Sequence, residues 1–298
     1  MSNEIPIIMY HRIDGVQTRN LYQGYIDAQI VIPEKDFYFQ IEKITSYYSV
    51  IPLEKLVENL TNLSVLPKNP CVLTFDDGFH EMHSIVFPIL KKFNITATFF
   101  VSGDHIAGTN QVRWLDLYYY LVNEISERNT SNSIIRNIHP DLQESNDVNI
   151  ALKQILRKLP LEEKYQLLLK IENELELQVD IQLLNKSLYL SLNQIKEMSK
   201  SGMFFGAHSM THQVMANLDS DTALYEVRES LQKIRKITRQ NNIAFAYPFG
   251  GRNSYTAEVV RMVRENGGMC GCTTIPEMNT SDTSIFELNR IPAEKFLI

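Results

Sequence analysis

One stretch of the chain limits its possible folds more than any other. From Cys71 to Phe75 the sequence is an apolar run of strand character, and it ends on two adjacent carboxylates, Asp76 and Asp77, followed by Gly78. A strand of this kind is typical of a parallel sheet with both faces buried. In α/β folds catalytic groups lie at the carboxyl ends of such strands, although Asp and Gly also form ordinary turns there. Because neighbouring side chains diverge, one carboxylate can hold a metal while the other faces a reacting water.

A pair of histidines, His208 and His212, is the second indication of a site. They follow the short apolar strand predicted at residues 202–207, so they also lie at a strand's carboxyl end. Two imidazoles four residues apart can bind one divalent ion, but the helical protease motif would require Glu where this chain has Ser209. With Asp77 they make three protein ligands and leave an open position for water, as in a catalytic zinc site. The alternative is a pair of solvated loop histidines.

These two motifs resemble the first two motifs of polysaccharide deacetylases with a NodB-type domain, carbohydrate esterase family 4. The motifs read Thr74-Phe75-Asp76-Asp77-Gly78 and His208-Ser209-x-x-His212. Four further segments are similar to the family, namely Ile8-Met9-Tyr10-His11-Arg12, Tyr48-Ser49-Val50-Ile51-Pro52-Leu53, Ala97-Thr98-Phe99-Phe100-Val101 and Tyr247-Pro248-Phe249-Gly250. The resemblance implies an α/β fold, a distorted (β/α) barrel. It also implies a metal-dependent hydrolase that removes the N-acetyl group of an amino sugar or of an oligo- or polysaccharide precursor, giving a free amine and acetate.

The resemblance implies a role for each of four site residues. Asp77, His208 and His212 would bind a divalent metal, with Zn²⁺ as the default, although two imidazoles and a carboxylate also suit Co²⁺, Ni²⁺ or Fe²⁺. Asp76 would be the general base that takes the proton of the attacking water.

Two more roles follow from the resemblance. Most relatives take their general acid from a Leu-x-His motif, whose place here is Leu288-Asn289-Arg290. Members that resemble the exported poly-N-acetylglucosamine deacetylases take it from a Tyr-His segment on the first strand, and Tyr10-His11 matches that segment. We therefore expect His11 to be the acid. The backbone N–H of Phe249 would help to bind the oxyanion.

The chain departs from the family pattern at two places that bear on function. The Arg of the third motif, which holds the base aspartate in relatives, is Ala246 here, and Arg12, Arg252 and Arg290 are equally open as replacements. The Trp-bearing motif that lines the acetyl pocket has no match. Two alternatives therefore stay open: a deformylase or other amide hydrolase on the same scaffold, and a carbohydrate-binding homologue with impaired catalysis.

Charge and composition exclude several other classes of protein. The formal net charge of −6 argues against nucleic acid, because a phosphate backbone is bound by a basic face. The first residues lack the basic region and cleavage site of a signal peptide, and no window is long enough to span a membrane. Three cysteines, an odd number, fit a reduced compartment. We expect a cytoplasmic protein without a membrane span, whose partner is a carbohydrate substrate and whose oligomeric state stays open.

The domain organisation is predicted to be one polysaccharide-deacetylase-like domain over residues 1–298. Residues 126–190 differ in composition, since they contain no glycine and repeat Leu and Ile at helical spacing. We expect them to form a helical insertion within the domain, as a cap, a lid or an oligomer contact. Just before it, Trp114 is either a platform for a sugar ring or a helix-start aromatic packed on the core.

Overall fold

Short strands form the centre of the fold in the computed structural model, which describes residues 4–15, 23–61, 65–127, 133–143 and 147–296. Most of these strands are buried on both faces, as the apolar composition predicts. In chain order the strands are β1 (Ile7–Tyr10), β2 (Arg12–Asp14), β3 (Val31–Pro33), β4 (Ser49–Val50), β5 (Pro70–Phe75), β6 (Thr98–Val101), β7 (Phe204–Ala207), β8 (Ile243–Ala246), β9 (Gly268–Cys272) and β10 (Ile291–Pro292).

Eight of these strands make one parallel sheet. Its order is β10-β1-β5-β6-β7-β8-β9, and β4 pairs with the start of β5, before the part of β5 that pairs with β1. Strands β2 and β3 form a separate parallel pair. Every connection between parallel neighbours has to cross from one end of the sheet to the other, and helices provide most of these crossovers.

The helices alternate with the strands until the centre of the chain, where several follow one another. They are α1 (Gln23–Asp27), α2 (Glu34–Tyr47), α3 (Leu53–Leu60), α4 (Phe87–Lys92), α5 (Trp114–Glu127), α6 (Ser133–Ile138), α7 (Val148–Lys158), α8 (Leu161–Glu174), α9 (Ile181–Leu188), α10 (Leu192–Lys200), α11 (Ser220–Thr238) and α12 (Ala257–Glu265). A π-helical turn, Met82–Val86, leads into α4.

The two ends of the sheet come together through one segment near the carboxyl end of the chain. Leu288 forms a parallel bridge with Cys272 of β9, and Ile291 in β10 pairs with Ile8 of β1. Because one short segment contacts both end strands, the sheet curls. The fold is therefore a distorted (β/α) half-barrel surrounded by helices, which confirms the predicted fold class.

Alternation of side chains along the strands separates two apolar clusters. The smaller joins one residue from each of five strands, Ile7, Val72, Phe100, Ala244 and Cys270, with residues of α3, so it fills the inside of the curled sheet. The larger contains the opposite faces of the same strands and the helices outside them. Because the strands run parallel, the polar residues at their carboxyl ends lie at one rim of the sheet.

Helices α6 to α9 occupy the region predicted as a helical insertion. Their apolar residues, such as Leu152 and Leu168, belong to the same core cluster as Phe75 and Phe99 of the sheet. The limits of the insertion at 126 and 190 stay a prediction. Trp114, at the start of α5, is fully buried, which favours core packing over an open sugar platform.

No helix in the described ranges combines the length and the apolar character that crossing a bilayer requires.

Candidate active site

Three predicted metal ligands meet where β5 and β7 end. The Oδ1 atom of Asp77 lies 3.3 Å from Nε2 of His212 and 3.6 Å from Nε2 of His208. All three side chains are buried, and within the described residues they form the group of His, Cys, Asp and Glu side chains whose spacing suits a metal ion. Strand pairing places β5 and β7 on either side of β6, so two segments far apart in sequence converge on one point.

The spacing of these atoms fits a tetrahedral ion. Ligand atoms about 2.1 Å from a tetrahedral zinc would lie about 3.4 Å from one another, close to both measured separations. Nδ1 of His208 lies 2.7 Å from the carbonyl oxygen of Ala246. A carbonyl only accepts hydrogen bonds, so Nδ1 carries the proton and the lone pair of Nε2 is directed at the cluster. Burial lowers the pKa of His208 to about 4, which keeps the imidazole neutral and able to bind a metal.

Arg290 is the arginine that holds Asp76. Its Nη1 and Nη2 donate to the two carboxylate oxygens at 2.6 Å and 2.7 Å, and its Nε donates to the carbonyl oxygen of Thr273 at 2.7 Å. Alternate residues of a strand share one face, so the side chain of Asp76 lies on the inner face with those of Val72 and Thr74. There it meets Arg290, at the open end of the barrel. Burial alone would raise the pKa of Asp76, but the Arg290 guanidinium, together with His208 and His11, holds it below its usual value.

The other two arginines that the sequence left open have different partners. Arg12 is buried and donates to Glu81 from Nε at 2.7 Å and from Nη2 at 3.3 Å. Arg252 is exposed and pairs with Glu277 at 3.3 Å. Of the three arginines that the sequence left open, Arg290 is therefore the one that pairs with Asp76.

A second buried arginine, Arg113, contacts Asp77, the predicted metal ligand, and no sequence motif marks it. Its Nη1 forms an ion pair with Oδ1 of Asp77, although the two groups are not aligned as a hydrogen bond. Its Nε and Nη2 donate to the carboxylate of Asp116 at 2.6 Å and 2.9 Å, and that carboxylate also accepts from the hydroxyls of Tyr25 and Tyr189. Burial would raise the pKa of Asp77, but Arg113 and His212 hold it well below its usual range.

The predicted acid lies beside Asp76, and the residue predicted to bind the oxyanion packs against His212. Nε2 of His11, directly after β1, lies 4.0 Å from Oδ2 of Asp76, and one fifth of its side chain is exposed. The ring of Phe249 lies 5.1 Å from that of His212, measured between centroids. The centroid of the Phe249 ring also lies 6.5 Å from that of the buried Trp114 ring.

The backbone around the site is unusual. Asp77, Ser209, His212 and Phe249 all have positive φ, between 55° and 77°. Non-glycine residues seldom adopt this conformation, and it costs free energy unless the surroundings enforce it, so its concentration at one rim indicates a functional site.

The loop that carries the two histidines is held from α11. Glu226, buried in that helix, accepts hydrogen bonds from the backbone N–H of Met210 at 2.7 Å, from that of Thr211 at 2.9 Å, and from the Thr211 hydroxyl. Within the loop the N–H of His212 donates to the Ser209 hydroxyl at 2.9 Å. A glutamate in the interior of an amphipathic helix carries no local signal of this role, so the sequence analysis missed it.

Comparisons with known proteins identify the family of this chain. The model of the family "Polysaccharide deacetylase" matches residues 64–155 and 162–266. A relative named "Putative polysaccharide deacetylase YxkH", from Bacillus subtilis (strain 168), is 19% identical over 291 residues, which cover 97% of this chain and 71% of the relative.

Two solved structures share the fold. The deacetylase PplD of Streptococcus pyogenes, solved in complex with acetate, has a TM-score of 0.63 and 22% identity, covering 98% of this chain and 93% of PplD. IcaB from Ammonifex degensii has a TM-score of 0.58 and 17% identity, covering 97% of this chain and 91% of IcaB. Because the family model covers more than half of the residues, this chain belongs to the polysaccharide deacetylase family.

Proposed function

We propose that this protein is a metal-dependent hydrolase that removes the N-acetyl group from an amino sugar or from an oligo- or polysaccharide precursor. The observation that carries the proposal is the cluster of Asp77, His208 and His212, with a second carboxylate, Asp76, beside it. Family membership supports deacetylation of a carbohydrate, and the cluster supports dependence on a metal. When bound, a divalent ion would lower the pKa of a water and polarise the acyl carbonyl.

Asp76 is the general base in this proposal. Its pairing with Arg290 keeps it ionised at neutral pH, so it can accept the proton of the water that attacks the acyl carbon. Arg290 also fixes the carboxylate plane, because both of its oxygens are held by the same guanidinium fork.

His11 and Phe249 complete the reaction. As the C–N bond breaks, His11 donates a proton to the departing nitrogen, and the products are acetate and the free amine. The backbone N–H of Phe249 stabilises the negative charge that develops on the acyl oxygen. The position of Phe249 supports this role, since its ring packs against that of His212 and its backbone has the uncommon left-handed conformation.

The deciding experiment measures metal content and acetate release on the same samples. The wild-type protein is compared with Asp77→Ala and His208→Ala, using N-acetylglucosamine oligomers as substrate. We expect about one divalent ion per chain in the wild type, lost in both variants together with acetate release. A wild type that binds no metal even after its addition would refute the proposed site.

Two catalytic variants test the assigned roles. Asp76→Asn and His11→Ala should retain the metal, because neither side chain is a ligand, and each should lower kcat on the order of 10² to 10⁴. Normal turnover in either variant would contradict the role of that residue.

Matched acyl groups separate the alternatives. Formate release from N-formyl sugars in preference to acetate would indicate a deformylase. Sugar binding with no acid release from metal-loaded protein would indicate a binding homologue.

A further inference from the structure

Two cations of α7 lie over the rim of the site. The guanidinium of Arg157 lies 4.9 Å from the ring centroid of Phe249, the residue placed at the oxyanion. One helical turn earlier, the ammonium of Lys153 contacts the hydroxyl of Tyr119 and lies 4.8 Å from the centroid of its ring. Residues four apart share one face of a helix, so both charges face the same side.

Neither cation contacts a carboxylate in the part of the chain that the structure describes. The buried carboxylates below them are already paired, Asp76 with Arg290 and Asp77 and Asp116 with Arg113. The rim therefore carries positive charge that no carboxylate among the described residues neutralises.

Two effects act against the charges of these cations, although each cation also contacts an aromatic ring. Like charges four residues apart on a helix repel one another. Burial, together with the nearby Arg157, lowers the pKa of Lys153 to about 8. An anion between the two side chains would relieve both effects, and the planar fork of Arg157 suits the oxygens of a phosphate.

We propose that Lys153 and Arg157 bind a phosphate group carried by the substrate, next to the N-acetylated sugar whose amide is cleaved. The proposal rests on the proposed function, since it names the substrate class of the same site as a phosphorylated amino sugar. It also assigns a role to α7, which belongs to the region predicted as a helical insertion.

Binding measurements test this without relying on catalysis. Calorimetric titrations of the full chain would compare N-acetylglucosamine with N-acetylglucosamine 1-phosphate. We expect the wild type to bind the phosphorylated sugar about tenfold more tightly. The double variant Lys153→Gln/Arg157→Gln should lose this preference. The matched control Lys170→Gln, which removes an exposed cation from α8, should keep it.

The possible results are distinct. Equal affinity of the wild type for the two sugars, or a preference that survives in the double variant, would overturn the proposal. Tighter binding of N-acetylmuramic acid than of the 1-phosphate would overturn the choice of phosphate over carboxylate. Uridine diphosphate N-acetylglucosamine distinguishes a diphosphate from a monoester, and tight binding of either supports the site.

Acetate release in the same samples separates this proposal from the proposed function. A phosphate preference without any acid release would contradict the hydrolase and leave the phosphate site standing. Acetate release without a phosphate preference would contradict the phosphate site alone.

Discussion

Arg290 donates two parallel hydrogen bonds, of 2.6 Å and 2.7 Å, to the carboxylate of Asp76, although the two residues are 214 positions apart in the chain. Both side chains are fully buried. An isolated carboxylate in this position would take up a proton, because burial disfavours its charge. The pairing keeps Asp76 ionised and fixes its orientation.

Removal of this guanidinium should change the pH dependence of activity. In Arg290→Gln the largest group that offsets burial is lost, so the pKa of Asp76 rises and more of the carboxylate is protonated at a given pH. We expect the acidic limb of the kcat/KM profile to move to higher pH, with a loss at neutral pH on the order of 10²-fold. A pH profile of acetate release tests this. Arg252→Gln, which removes an exposed ion pair, is the matched control, and an unmoved acidic limb in Arg290→Gln would contradict the role of the pairing.

Loss of Arg113 should destabilise the protein in a pH-dependent way. The variant Arg113→Gln leaves Asp77 and Asp116 buried without their cation, and breaking a buried pair typically costs about 3 to 5 kcal/mol. The pKa of Asp77 is lower in the folded than in the unfolded protein. The pairing therefore stabilises the folded state fully at pH values above the unfolded pKa, and this stabilisation is lost as the pH falls through the folded pKa.

Denaturant unfolding at several pH values measures this effect. The gap in unfolding free energy between wild type and Arg113→Gln should be largest near pH 7 and narrow in acid. Arg261→Gln, at an exposed ion pair on α12, should cost less than about 1 kcal/mol. A gap that widened in acid would argue against the electrostatic origin.

Glu226 should control metal affinity from outside the ligand set. Glu226→Ala removes the acceptor of two backbone N–H groups in the histidine loop, so the ligands lose their orientation. We expect metal affinity to fall about 10- to 100-fold with the fold retained. Competition with a chelator of known affinity measures this. Glu229→Ala on the same helix should leave affinity unchanged, and an equal loss in both variants would show a general effect on α11.

The adjacent glycines Gly250 and Gly251 should differ sharply in how well they tolerate substitution by alanine. Gly250 has a φ of +58°, and a Cβ there would lie 2.7 Å from the backbone N of Thr274. Gly250→Ala should therefore displace Phe249 and lower both stability, by about 1 to 3 kcal/mol, and activity. Gly251→Ala meets nothing closer than 3.7 Å and should be nearly neutral. Thermal unfolding and acetate release on both variants test this, and similar behaviour of the two would contradict the steric argument.

Features of this protein that depend on local pattern could be predicted from the residues alone. An apolar run ending in Asp76 and Asp77 predicted a buried parallel strand, and the structure has that strand at Pro70–Phe75. The spacing of His208 and His212 predicted their convergence with Asp77, and the three do meet. These predictions succeed because burial periodicity and the common rim of parallel strands follow from backbone geometry alone.

The distant side chains that support that site could not be predicted in this way, because they are brought together by the fold. Arg12, Arg252 and Arg290 were equivalent in the sequence, and Arg290 reaches Asp76 because its segment lies between the two end strands of the curled sheet. Arg113 lies just before α5 and Glu226 lies within α11, and the local patterns of these segments predict only aromatic or amphipathic packing. Pairings of this kind depend on how the sheet curls and how the helices pack against it, and neither is encoded in the spacing of neighbouring residues.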